Sequence, residues 1–109
     1  MTQSEFITVA TTTELRADDP PIVVEIHNKW VALYNINGEY LAIEDVCTHD
    51  GNPLADGKVE GGVVICPRHG AKFDIKTGKA LSPPAYIDVP TYQVRVIGND
   101  IQIGAVNKK

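Results

Sequence analysis

The segment Lys29-Trp30-Val31-Ala32-Leu33-Tyr34-Asn35-Ile36-Asn37-Gly38-Glu39-Tyr40-Leu41-Ala42-Ile43 decides the fold class. Its β-branched and aromatic residues suit a pleated strand, and Asn37-Gly38 favours the positive φ angles of a tight hairpin turn. Lys29 to Asn35 and Glu39 to Ile43 are therefore expected to be two antiparallel strands. Outward from this hairpin the pattern repeats as short β-rich runs, each closed by Gly, Asn, Asp or Pro. Upstream, Ile22 to His27 reads as a strand that Asn28 bends back, and Phe6 to Ala10 as a first strand. Thr11 to Glu14 could open a single helical turn, which Asp18-Asp19-Pro20-Pro21 soon breaks. Downstream, Val59-Glu60 and Val63 to Ile65 flank Gly61-Gly62, and Lys72 to Ile75 and Lys79-Ala80 flank Lys76-Thr77-Gly78. Thr91 to Ile97 and Asp100 to Ile103 close around Gly98-Asn99, and the polar tail Asn107-Lys108-Lys109 is expected to fray. Helical periodicity is hard to find. The expected fold is all-β, an antiparallel sandwich or barrel.

The chain has 109 residues, 43% of them hydrophobic and 22% charged, which is the size and composition of one globular domain spanning residues 1–109. No run approaches the roughly 18 apolar residues of a membrane span, and Met1 to Ala10 has no basic leader region. A soluble, cytoplasmic protein is expected, with no membrane partner. The formal charge of −4 argues against a nucleic-acid partner, which would want a basic face. No G-x-G-x-x-G occurs, and the length leaves no room for a nucleotide-binding domain, so a self-sufficient oxidoreductase is excluded.

The two cysteines, Cys47 and Cys66, allow at most one disulfide, and in a reducing compartment they read as metal ligands or redox residues. Each has a histidine close by. Cys47-Thr48-His49 is followed after 16 residues by Cys66-Pro67-Arg68-His69. Both groups lie in loops between strands, and Gly51 and Gly70 follow the histidines where the backbone must turn tightly. Zinc is bound by two cysteines and two histidines in finger domains, but there the cysteines pair with each other and the histidines likewise. A Rieske [2Fe-2S] centre places two cysteines on one iron and two histidines on the other. One of each per loop leans toward the second arrangement, and a zinc-stabilised interaction module stays open as the alternative from another class.

The chain resembles a Rieske-type ferredoxin over roughly Val23 to Ile103. The resemblance rests on Cys47-Thr48-His49-Asp50-Gly51, Ile65-Cys66-Pro67-Arg68-His69-Gly70, Phe73-Asp74 and Thr77-Gly78. Ser82-Pro83-Pro84-Ala85 is similar to the proline loop that covers the cluster in that family. It implies a Rieske-like β fold with a small cluster-binding subdomain of loops and hairpins, about residues 44–85. It also implies one [2Fe-2S] cluster as cofactor, with Cys47 and Cys66 on the buried iron and His49 and His69 on the outer iron. The implied role is a soluble, monomeric carrier of single electrons and not an enzyme. Its implied partners are an NAD(P)H-dependent flavin ferredoxin reductase and a terminal Rieske non-haem iron oxygenase of the ring-hydroxylating type. A small electron-transfer subunit of another oxidoreductase, for instance a nitrite-reductase-like complex, is the alternative within the same class.

Departures from the pattern sharpen this reading. High-potential members resemble C-T-H-x-G-C and C-P-C-H-G-S-x-Y, and their extra cysteine pair joins the two loops. Here Asn52 and Arg68 stand in those places, and Ala71 and Phe73 replace the Ser and Tyr whose hydroxyls donate to sulfur. Losing those donors lowers the potential, to about −150 mV at the low Rieske limit. After the four ligands only His27 remains, so the histidines of a mononuclear oxygenase iron are lacking. His27 reads as structural, and Trp30, Tyr34 and Tyr40 are expected to pack in the core. Asp45, Asp50 and Asp56 read as ordinary loop acids or a docking patch, and Arg68 and Lys72 as solvated cations or contacts for an acidic partner.

Overall fold

The computed structural model describes residues 6–48, 51–68, 70–83 and 86–107. Its strands, in chain order, are β1 (Ile7–Thr11), β2 (Ile22–Ile26), β3 (Lys29–Ile36), β4 (Glu39–Glu44), β5 (Lys58–Glu60), β6 (Val63–Ile65), β7 (Lys72–Asp74), β8 (Ala80–Ser82), β9 (Thr91–Ile97) and β10 (Asp100–Val106). They form a six-stranded sheet ordered β1-β10-β9-β4-β3-β2 and a four-stranded sheet ordered β5-β6-β7-β8, with every pairing antiparallel. The all-β expectation holds. Among the described residues no helix is long and apolar enough to cross a membrane.

The opening hairpin is in register from Val31↔Glu44 to Ile36↔Glu39, and Asn37 and Gly38 take φ of 57° and 94° at its turn. β3 is buried on both faces from Val31 to Asn35, because each face meets a different core. Val31 and Leu33 point into a cluster with Ala10, Leu15, Ile26, Ala42, Ile101 and Ile103. Both edge strands of the large sheet, β1 and β2, contribute to that cluster, so the sheet curls into a nearly closed barrel around it. Ala32 and Tyr34 face the other way and pack with Ile43, Leu54, Val64, Phe73, Ile75 and Val89 beneath the small sheet. Burial of such side chains contributes on the order of 1.5–3 kcal/mol each, and it is this second core that fastens the small sheet to the barrel.

Several expectations need correction. Thr11 to Glu14 forms no helical turn: Thr11 ends β1, and one backbone bond from Glu14 N–H to the Thr11 carbonyl (3.0 Å) closes a simple turn. His27 lies outside β2, at φ 50° beside Asn28 at 68°, and is an exposed corner of the β2–β3 hairpin. Trp30 is 57% exposed and not in the core. It alternates onto the same strand face as Ala32 and Tyr34, but it is absent from the core that those two share. Tyr34 and Tyr40 behave as expected: Tyr34 is buried, and half-buried Tyr40 donates its hydroxyl to the Leu15 carbonyl at 3.1 Å. The strand read at Lys79-Ala80 runs instead over Ala80–Ser82. Asn107 is pinned rather than frayed, with its backbone N–H on the Thr91 carbonyl at 2.7 Å and its amide on Thr91 Oγ1 at 2.9 Å. Lys108 and Lys109 lie outside the described residues.

Candidate metal centre

Cys47 lies three residues beyond the end of β4, and Cys66 directly follows β6. Both are buried in the core that joins the two sheets, so cysteines with 18 residues between them in sequence share one cluster. His49 and His69 lie outside the described residues, as do Asp50, Pro84 and Ala85. Among the described residues no three Cys, His, Asp or Glu side chains converge as a metal site.

The two cysteine loops share one backbone design. Cys47 N–H donates to the Asn52 carbonyl and Cys66 N–H to the Ala71 carbonyl, both at 2.7 Å. Gly51 N–H returns to the Cys47 carbonyl at 2.6 Å, and Gly70 N–H to the Cys66 carbonyl at 3.0 Å. Gly51 and Gly70 each have φ of 77°, a region that glycine enters without steric cost. Superposing the loops on these bonds aligns Cys47 with Cys66 and Gly51 with Gly70. In the sequence itself the histidines are one position out of step, His49 matching Arg68 and His69 matching Asp50 by number. The difference between Cys-x-His and Cys-x-x-His thus sits inside two otherwise matched turns.

A close backbone approach supports the second loop from below. A Cβ on Gly57 would lie 2.2 Å from the Ile65 carbonyl oxygen, so only glycine lets β5 begin this close to the residue before Cys66. The residues after the proline segment are tied to the first cysteine loop: Thr48, which follows Cys47, donates its hydroxyl to the Ile87 carbonyl. Tyr86 and Ile87 are 81% and 67% exposed, the most exposed of the large hydrophobics among the described residues. No sequence signal separated them from the proline loop in front of them.

The surroundings of the thiols are apolar. Ala71 and Phe73 are fully buried in the same core as both cysteines, so neither of those two positions offers a side-chain hydroxyl. The Tyr34 hydroxyl is buried there too and has no hydrogen-bond partner among the described residues. Burial, and secondarily the charge of Asp45, push its phenol far above the ordinary tyrosine range. A folded-state value above the unfolded one means that the native state keeps its proton where the unfolded chain loses it. Stability is thus fully present below about pH 10 and falls as pH rises beyond it. Tyr34→Phe is expected to lessen that alkaline decline, to which Tyr92, also pushed up by burial and then by Glu44, contributes too, and to add about 1 kcal/mol by removing the unpaired hydroxyl. Denaturant midpoints between about pH 8 and 11 check both; a Phe variant with the wild-type pH profile would contradict them.

Two buried thiols on matched loops in an apolar core are suited to holding an inorganic cluster and unsuited to a hydrolytic site. One of the pair follows β4 of the barrel and the other β6 of the small sheet, so the candidate centre lies where the two sheets meet. The Rieske [2Fe-2S] domain matches residues 5–93, and the chain belongs to that family. The ferredoxin component of the naphthalene 1,2-dioxygenase/salicylate 5-hydroxylase systems of Ralstonia sp. is 40% identical over 83 residues, covering 72% of this chain and 80% of that protein. The 3-phenylpropionate/cinnamic acid dioxygenase ferredoxin subunit of Shigella boydii is 41% identical over 90 residues, covering 82% and 77%. Among solved structures, the complex of reduced oxygenase and oxidized ferredoxin in carbazole 1,9a-dioxygenase contains a chain that matches with a TM-score of 0.88 at 25% identity, covering 95% of this chain and 96% of that one. This chain is a Rieske-type ferredoxin, an electron-transfer component with one [2Fe-2S] cluster and not itself a catalyst.

Proposed function

We propose that this ferredoxin takes single electrons from an NAD(P)H-dependent flavin reductase and passes them to a Rieske non-haem iron oxygenase of the ring-hydroxylating type. The observation that carries the reading is the pair of matched loops with Cys47 and Cys66 buried together, in a chain about 40% identical to ferredoxins of dioxygenase systems. In this reading Cys47 and Cys66 hold the inner iron and His49 and His69 the outer one, within one domain over residues 1–109 acting as a cytoplasmic monomer. When bound, the cluster supplies reversible storage of one electron. The chain's own residues do the rest: apolar side chains keep water from the thiolates, and the loops fix the ligand spacing.

Docking falls to the exposed pair Tyr86 and Ile87, which the Thr48 bond holds against the first cluster loop. Exposed apolar groups at a tip suit a weak, rapidly exchanging contact with the oxygenase. Lys72, exposed on β7, borders the same end of the small sheet and suits a carboxylate on the partner rim. Reconstitution with a purified flavin reductase and a ring-hydroxylating oxygenase tests the role: substrate hydroxylation is expected to depend on added ferredoxin. Ile87→Glu is expected to cut turnover about tenfold at limiting ferredoxin while leaving the visible spectrum and potential unchanged. A system that turns over equally well without this chain, or with Ile87→Glu, would count against the reading.

A further inference from the structure

Matched as they are inside, the two cysteine loops differ at the neck. The second loop is the tip of the β6–β7 hairpin, and the pair Ile65↔Lys72 closes it with a strand ladder. The first has no such ladder among the described residues, where the chain leaves β4 at Glu44 and the next strand begins at Lys58. One side chain takes the ladder's place. Asp45 Oδ1 accepts the backbone N–H groups of both Leu54 and Ala55, each at 2.7 Å. Its own N–H donates to the Trp30 carbonyl at 2.8 Å, continuing the β3–β4 register by one step. The carboxylate therefore ties the far end of the loop, at Leu54 in the shared core, to the rigid end of the barrel hairpin. Cys47 lies between these two ends in sequence.

We propose that Asp45 is the positioning residue of the first cluster loop, clasping its neck and setting a fixed negative charge beside the cluster. This rests on the reading of Cys47 and His49 as cluster ligands. A charge-assisted bond to two donors is stronger than a neutral one, and it holds the first loop from within in a chain that has Asn52 and Arg68 where high-potential relatives have the disulfide between loops. Loop closure by a clasp also removes conformations in which the ligands drift apart. The negative charge opposes adding an electron, so it holds the potential down.

The test compares Asp45→Ala, Asp45→Asn and Asp74→Ala in the loaded protein. Asp74 makes a similar clasp, Oδ1 accepting from Lys76 N–H at 2.9 Å and Thr77 N–H at 3.3 Å, but in the β7–β8 turn away from the cysteines. Asp45→Ala is expected to release iron to a chelator about tenfold faster than wild type and to alter the electron paramagnetic resonance of the reduced protein. Asp45→Asn keeps an acceptor oxygen but loses the charge, so it is expected to release iron at an intermediate rate and to show a raised reduction potential. Asp74→Ala is expected to match wild type in all three readouts. Should Asp45→Ala not fold, Asp45→Asn alone decides, through its potential and its release rate. Asp45 variants indistinguishable from wild type, or an Asp74 variant as labile as they are, would overturn the proposal. Wild-type protein lacking a Rieske spectrum would overturn the ligand reading and this proposal with it.

Discussion

Substituting His69 by Ala is expected to yield protein without the red-brown colour and Rieske resonance of the wild type, and with no coupled oxygenase activity. His69→Cys is expected to lose the same spectrum for a different reason. A third thiolate would add a negative charge to a centre whose oxidised charges cancel, since two ferric ions balance two sulfides and two cysteine thiolates. Any cluster retained there would sit at a lower potential and show a spectrum closer to the all-thiolate type. Cys66→Ser is expected to reduce bound iron to about a tenth of wild type or less, because a buried hydroxyl is a poor substitute for a thiolate ligand. The structure also says what survives. The barrel core of Val31, Leu33, Ile101 and Ile103 contains neither cysteine, whereas the second core contains both. Circular dichroism should therefore keep its strand signal in all three variants, while the small sheet loosens. A His69→Ala protein that keeps colour and activity would refute the ligand assignment.

The parts of this molecule legible in the sequence are those whose cause is local. Asn37-Gly38 dictates its turn whatever surrounds it, and alternation about that turn places Val31 and Leu33 opposite Ala32 and Tyr34. The cysteine loops were legible because the spacing of ligands is itself local chemistry. The misreadings have long-range causes. Trp30 looks like a core residue in sequence, since the same face of β3 is buried at Ala32 and Tyr34. Nothing within β3 distinguishes Trp30, which is exposed, from its buried neighbours on that face, so tertiary packing decides it. His27 belonged to an apolar run, yet the tight return into β3 needs two positive φ residues and takes His27 with Asn28. Asp45 passed for an ordinary loop acid because its partners lie nine and ten residues further on. Asn107 passed for a loose tail because Thr91, which holds it, starts a strand sixteen residues earlier.

Installing Ala71→Ser and Phe73→Tyr together is expected to raise the reduction potential by on the order of 100 mV. Both positions are fully buried among the residues that enclose the two cysteines, and the Ala71 carbonyl already accepts the Cys66 N–H at 2.7 Å. The one buried hydroxyl nearby, on Tyr34, makes no hydrogen bond and so does not compensate for the missing donors among the described residues. A hydroxyl donated to sulfur favours the reduced, more negative state. If each bond is about 1.4 kcal/mol stronger there, the one-electron potential rises by about 59 mV per donor. From a starting value near the low Rieske limit of about −150 mV, the double variant would still lie well below the high-potential members at about +300 mV. The remaining gap would then belong to terms that two hydroxyls cannot supply, such as the fixed charge of Asp45 beside the first loop. Redox titration of wild type and both single variants separates the contributions. A wild-type value that is clearly positive would mean that donors other than these two positions set the potential. A Phe73→Tyr variant that loses stability without a change in potential would place its hydroxyl away from sulfur. A carrier poised low keeps its electron easy to surrender, so the double variant should pass electrons to the oxygenase more slowly even while it accepts them from the reductase more readily.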